Sequence, residues 1–230
     1  MSLYWLIDLL AVSVPFLFSF HRRLQFHKTW YALRPALLIT AAVFILWDIL
    51  FTGWQVWGFN PDYLQGFYIA GLPVEELFFF IAIPYACVFT YASLNRLIHR
   101  DLFAGSSRFI TAGLIGVLGL AGAANITELY TSVTFLATAC FLIFHFHFLK
   151  SPYLGRFYLA YLVVFLGPFL LVNGVLTGSF VRQPVVWYDN SENLGIRFLT
   201  IPVEDFVYGF LLFLMNVTFY EGILARRNTG

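Results

Sequence analysis

Leu72-Pro73-Val74-Glu75-Glu76 and Ile201-Pro202-Val203-Glu204-Asp205 are one short phrase written twice, at an offset of 129. Val88 and Tyr91 match Val217 and Tyr220 at the same offset. Upstream, Leu46-Trp47-Asp48-Ile49-Leu50-Phe51-Thr52-Gly53 lines up with Leu171-Val172-Asn173-Gly174-Val175-Leu176-Thr177-Gly178 at an offset of 125. The change from 125 to 129 predicts a four-residue insertion in the later loop. Two matches in register predict an internal duplication.

The medium around this repeat is lipid. The chain is 60% hydrophobic and 11% charged, where soluble domains average about 25% charged residues. Its mean hydropathy is +0.81. A spanning helix needs about 20 apolar residues. Seven candidates follow, at 3–20, 35–58, 74–97, 109–127, 130–149, 157–179 and 203–225. No basic residue precedes the first, and Arg22 and Arg23 follow it, so it reads as a span rather than a cleaved signal. The connectors leave no room for a soluble domain. The expected fold is an all-α polytopic membrane bundle of seven transmembrane helices.

Equivalent repeat positions are four spans apart. An even number keeps both copies in one orientation, so the repeat is parallel. It divides the chain into a first unit at 1–107 (spans 1–3), a linking helix at 108–128, and a second unit at 129–230 (spans 5–7). Eleven of the 13 Lys and Arg residues fall on one side of this arrangement, leaving Arg182 and Arg197 on the other. The positive-inside rule then puts the N-terminus outside a cell (inner) membrane and the C-terminus in the cytoplasm. Trp54, Trp57, Trp187 and Tyr188 fall at the outer boundary, as an aromatic belt would.

Several functions lose support. A net charge of +1 argues against a nucleic-acid partner. Gly113, Gly116, Gly119 and Gly122 in span 4 suit close helix packing in lipid. They lack the strand and the spacing of a dinucleotide fingerprint. Cys87 and Cys140 sit in apolar runs and read as small buried hydrophobes. The five histidines fall near the cytoplasmic face and form no metal cluster. Neither Lys28 nor Lys150 lies in span 7, where a retinal Schiff base would need one. The expectation is no flavin, nicotinamide or metal, with membrane lipid as the surrounding partner.

The acids inside spans carry the chemistry, because intramembrane charge is costly and normally faces the protein interior. Asp8 and Asp48 lie within apolar runs, while Glu75, Glu76, Glu204 and Asp205 open spans 3 and 7. A proline and acids also make a good helix start. Duplication of the motif, and the apolar residues after it, favour a functional reading. Asn173 stands where the first copy has Asp48, so the halves differ chemically. Asp48 and Asn173 are equally readable as partners orienting the acids or as packing polar groups.

The paired motifs resemble those of the small membrane lycopene cyclases of bacteria and archaea, in which two homologous units occur separately or fused. The resemblance rests on Asp48 in its Trp-Asp setting, Pro73-Val74-Glu75-Glu76, Asn173-Gly174 and Pro202-Val203-Glu204-Asp205, and covers essentially the whole chain. It implies a redox-neutral cyclisation of the linear ends of a carotenoid, lycopene or a related polyene. An acid protonates the terminal double bond, the cation closes a six-membered ring, and a base removes a proton. Glu75 and Glu204 are the first choices for acid and base, with Glu76 and Asp205 supporting them. Trp47, Trp54 and Tyr208 are candidates for stabilising the cation. A second class fits the same features: a proton- or solute-translocating protein that uses its intramembrane carboxylates. The ring type, the number of ends cyclised, the carotenoid length and the oligomeric state are open at this level.

Overall fold

The structure, a computed structural model, describes residues 1–228; the last two positions of the second unit lie outside the described residues. Seven helices carry it: α1 Leu3–Phe18, α2 Trp30–Gly53, α3 Val74–Leu97, α4 Ser107–Ala124, α5 Leu129–Leu149, α6 Leu154–Leu176 and α7 Val203–Asn228. The chain is an all-α helical membrane bundle. Helices α2 to α7 are long and apolar enough to cross a bilayer. Helix α1, with 16 residues, is shorter. At 1.5 Å per residue it spans about 24 Å, less than a hydrocarbon core of about 30 Å.

Helix α2 begins five residues before the expected 35 and carries Pro35 inside it, in its second turn, at the loss of one backbone hydrogen bond. A 3-10 turn at Phe26–Thr29 leads into it. It stops at Gly53, and the chain leaves through Gln55 in the left-handed region (φ 62°). Helix α5 ends in a π turn, His145–Leu149, and α6 contains another, Phe165–Phe169, around Pro168. Proline removes the N–H that a regular α turn needs, and the wider turn absorbs the loss.

Packing follows a repeating scheme. Helix α1 lies along α3, and α5 along α7; α2 crosses to α7, and α6 to α3; α4 rests on α5. Of the four α4 glycines only Gly122 has a close neighbour, the Leu136 and Phe135 side chains of α5. Gly113, Gly116 and Gly119 have open space beside them, contrary to the close packing expected for the whole row. Cys87 is buried, but Cys140 is exposed, since it lies on the outward face of α5. His145 is fully buried rather than interfacial, held between Ser151 Oγ (2.8 Å) and Thr218 Oγ1 (3.0 Å).

Short antiparallel strands organise the α2–α3 and α6–α7 loops: β1 Trp57–Phe59, β2 Tyr68–Ile69, β3 Leu72–Pro73, β4 Val186–Tyr188, β5 Arg197–Phe198 and β6 Ile201–Pro202. β2 pairs with β3, and β5 with β6. These two hairpins turn through Ala70 and Leu199, both left-handed (φ 53° and 57°) and equivalent at the offset of 129. The third pair joins the two loops to each other. In β1–β4, Trp57 faces Tyr188, Gly58 faces Trp187 and Phe59 faces Val186. The Asn60 N–H donates to Val185 O (2.8 Å), and the Asp189 N–H to Val56 O (2.9 Å). Shifting each member of one relation by the repeat offset gives the other, as a local twofold axis through Gly58 and Trp187 requires. Gln55 and Phe180, both left-handed, are still related by the offset of 125, whereas Val56 and Val185 are related by 129. The offset therefore changes between Phe180 and Val185.

Candidate active site

Each acidic pair opens a helix behind a proline. Pro73 caps α3 in an extended conformation (φ −63°, ψ 146°), and Glu75 and Glu76 follow in the first turn. Glu204 and Asp205 do the same in α7. Neighbouring residues on a helix point about 100° apart, so the two members of a pair meet different surroundings.

Glu75 and Glu204 turn into the loops. Glu75 Oε1 accepts from Ser2 Oγ (2.9 Å) and the Gln65 N–H (2.8 Å). Glu204 Oε1 accepts from Thr131 Oγ1 (2.6 Å) and the Leu194 N–H (2.9 Å). The donors, like the acids, are related by the offset of 129: Ser2 with Thr131, and Gln65 with Leu194. Both glutamates are fully buried, and their Oε2 atoms have no hydrogen-bond partner.

Glu76 and Asp205 turn the other way, into a cavity of about 370 Å³ that Asp48 and Asn173 also line. Tyr4 donates its hydroxyl to Glu76 Oε2. Asp205 Oδ1 accepts from Tyr130 Oη (2.6 Å), and its Oδ2 from Tyr188 Oη (2.9 Å) and Asn173 Nδ2 (3.4 Å). Asp48 Oδ1 accepts from Trp57 Nε1 (2.5 Å) and Thr52 Oγ1 (3.3 Å), and its Oδ2 is buried without a partner. Asp48 and Glu76 stand in the wall of the same cavity. Among the described residues no lysine, arginine or histidine lines the cavity.

The wall is otherwise aromatic and aliphatic. Trp57, Tyr130, Tyr188 and Tyr208 form a connected set, with centroids 5.1 Å apart for Trp57 and Tyr130, 5.8 Å for Tyr130 and Tyr188, and 6.0 Å for Trp57 and Tyr208. Their faces can stabilise a cation by roughly 0.5–2 kcal/mol each. Burial pushes the Tyr188 phenol well above its ordinary range, and the Asp205 charge adds to this, so the hydroxyl stays a donor.

The cavity thus gathers Glu76, Asp205, Asp48, Asn173 and Tyr208, and leaves out Glu75, Glu204, Trp47 and Trp54. Trp47 packs on Phe44 and Tyr208, with its indole nitrogen buried and unpartnered. Trp54 is 58% exposed at the end of α2, as a belt residue is. Trp57, placed in that belt from the sequence, is 6% exposed and bonded to Asp48. Tyr188, placed there too, reaches Asp205 instead. Tyr4 and Tyr130 carry no mark in the sequence, because nothing local distinguishes a tyrosine whose acid lies on a distant helix. Asp8 is buried with neither oxygen hydrogen-bonded. Among the described residues, no group of three or more His, Cys, Asp or Glu side chains is arranged to hold a metal.

The comparisons with known proteins point the same way. The bifunctional lycopene cyclase/phytoene synthase of Aspergillus oryzae is 29% identical over 153 residues, 66% of this chain and 22% of that protein. The protein of the same name from Colletotrichum graminicola is 31% identical over 121 residues, 50% of this chain and 20% of its own length. That from Arthroderma gypseum is 27% identical over 165 residues, covering 70% and 25%. These relatives are fungal, and the chain spans a quarter of their length or less. No solved structure matches the chain. The lycopene cyclase family profile matches residues 1–94 and 127–223, so both sets of cavity acids fall within it, and the chain belongs to the lycopene cyclase family.

Proposed function

We propose that the chain is a carotenoid cyclase that closes six-membered rings on linear polyene ends, lycopene or a relative, without net redox change. The observation that carries this reading is the apolar, aromatic cavity holding three acids and no basic side chain among its described lining. The two halves are chemically different there. In the first, Asp48 and Glu76 line one cavity, and Asp48 Oδ2 has no donor. Two acids in an apolar cavity without a counter-cation are best accommodated with one of them protonated, as a general acid requires. In the second half Asn173 replaces the second acid, and three donors converge on Asp205, which suits a carboxylate base.

The reaction then follows. The Asp48–Glu76 pair gives its proton to the terminal double bond, and a tertiary cation forms. The next suitably placed double bond attacks it, closing the ring and moving the positive charge into the ring. Asp205 removes a proton beside that charge and leaves a ring double bond. One proton is added and one lost, so the product is an isomer. Glu75 and Glu204 do not touch the substrate in this scheme; they hold the outer loops to the starts of α3 and α7.

The division into a first unit at 1–107, a linker at 108–128 and a second unit at 129–230 is part of the same reading, as is relationship to the fused two-unit cyclases of bacteria and archaea. It is supported by the equivalent donors to Glu75 and Glu204, and by a β1–β4 pair that obeys a local twofold. We also place the N-terminus outside and the C-terminus in the cytoplasm, on the distribution of basic residues. Translocation draws less support, because the cavity lining is apolar apart from the acids and a few other polar side chains.

The test is expression in lycopene-accumulating cells, with pigment analysis normalised to membrane-inserted protein. Cyclic carotenoids are the expected products. Unchanged lycopene with well-inserted protein would overturn the assignment.

A further inference from the structure

The cavity continues beyond the acids, down the bundle between α1 and α6, with α3 as its floor. Leu10 and Val14 of α1 line it, yet are 63% and 58% exposed. Pro168 of α6 lines it and is exposed as well. Helix α1 meets α6 chiefly at the outer turn Leu170–Leu176, so the two helices part below it. The floor between them is Ala86, Cys87 and Thr90 of α3. In a membrane these apolar, outward-facing walls open on acyl chains.

A twofold arrangement of the helices implies a second slot, between α5 and α2 over α7. That side is filled. At the offset of 129, Met215 is the counterpart of Ala86, and Phe219 of Thr90. Trp47 stands where the open side has Val172. Phe44, Phe80 and Leu212 pack there with Trp47, Phe141 and Met215 into one apolar cluster. At Ala86 and Val172 smaller residues keep one slot open, where Met215 and Trp47 close its counterpart.

We propose that the open slot between α1 and α6 is the binding site for the polyene tail of the substrate. This rests on the cyclase reading above. The occupant follows from continuity and chemistry. A chain whose end stands among Glu76, Asp48 and Asp205 must leave the cavity along its apolar extension. About 370 Å³, slot included, is at the small end of the roughly 300–1,000 Å³ of ligand pockets, room for an end group and the first part of the chain and not for a folded long polyene. The uncyclised remainder runs out through the slot into the adjoining lipid, so each end is presented in a separate visit.

The experiment copies the closed side onto the open one. Ala86→Met and Val172→Trp are made singly in the full chain, and each introduces the residue already present at the matching position. Leu166→Trp, on the exposed face of α6 outside the slot, is the control. Cyclisation of lycopene is measured in nanodiscs per folded protein, together with the circular dichroism that the chiral site induces in the bound polyene. Misplacing a reacting end by about 1 Å can cost 10²-fold, so we expect each filling variant to lose at least about tenfold in rate. The induced signal should fall with it, while Leu166→Trp behaves as wild type. If either filling variant is folded, cyclises normally and keeps the signal, the slot assignment is overturned and the cyclase reading stands. If wild type itself cyclises nothing, both readings fall.

Discussion

Gly58 and Trp187 face one another in the β1–β4 pair, and they are also repeat equivalents, related by the offset of 129. A residue and its own repeat counterpart therefore meet at the axis that relates the α2–α3 and α6–α7 loops. The meeting is tight, since a Cβ placed on Gly58 would collide with the Trp187 ring. The same strands carry Trp57 to Asp48 and Tyr188 to Asp205, so their register sets two of the cavity hydrogen bonds.

Gly58→Ala should therefore push the indole away and loosen both bonds. Overpacking of this kind typically costs about 1–3 kcal/mol. The expected result is a lower unfolding temperature in detergent and reduced cyclisation. Gly53→Ala is the comparison, because a Cβ there meets nothing within 4 Å.

Within each acidic pair the two members should fail in different ways. Glu76→Gln and Asp205→Asn remove the cavity carboxyls and should cost roughly 10²–10⁴-fold in turnover with insertion intact. Glu75→Gln and Glu204→Gln weaken the oxygen that two donors share and bury an amide NH2 where Oε2 has no partner. They should mainly destabilise the fold, by about 1–3 kcal/mol, and leave measurable activity per folded molecule. Pigment yield against folded protein separates the two patterns. Larger turnover losses at Glu75 and Glu204 than at Glu76 and Asp205 would reverse the roles.

The Asp48 and Asn173 positions should not be interchangeable. Asp48→Asn makes the first half resemble the second and removes the carboxyl that the proposed mechanism pairs with Glu76. Lycopene should then accumulate, while Asp48→Glu recovers part of the activity. Asn173→Asp adds an acid beside Asp205 and withdraws one of its donors, so it should slow the deprotonation step. Product analysis over time checks both. Full activity in Asp48→Asn would remove Asp48 from the acid.

The orientation can be read independently of chemistry. A reporter fused after the C-terminus should be active only as a cytoplasmic fusion. Activity of a periplasm-dependent reporter at that position would invert the topology.

Seven helices, the acidic helix starts and the doubling of the motif are all legible in the sequence, because apolar length, proline at a first turn and a repeated phrase are local signals. The α3 boundaries agree with Val74–Leu97, since Pro73 and the basic end mark them. The later start expected for α2 treats Pro35 as a boundary, whereas the helix carries it in an early turn. Trp57 resembles a belt residue because a tryptophan after a span usually is one; only the turn back through β1 carries it beneath Asp48.

Composition and the repeated motif are enough to establish that two acids stand side by side at the start of α3 and again at the start of α7, in a chain too apolar for water. Which of each pair meets the cavity is a property of the folded bundle. Adjacent helical residues point about 100° apart, so the rotation of the helix about its axis settles the matter. That rotation is fixed from far along the chain: Ser2 and the Gln65 N–H hold Glu75, Thr131 and the Leu194 N–H hold Glu204, and the tyrosines Tyr4 and Tyr130 reach Glu76 and Asp205.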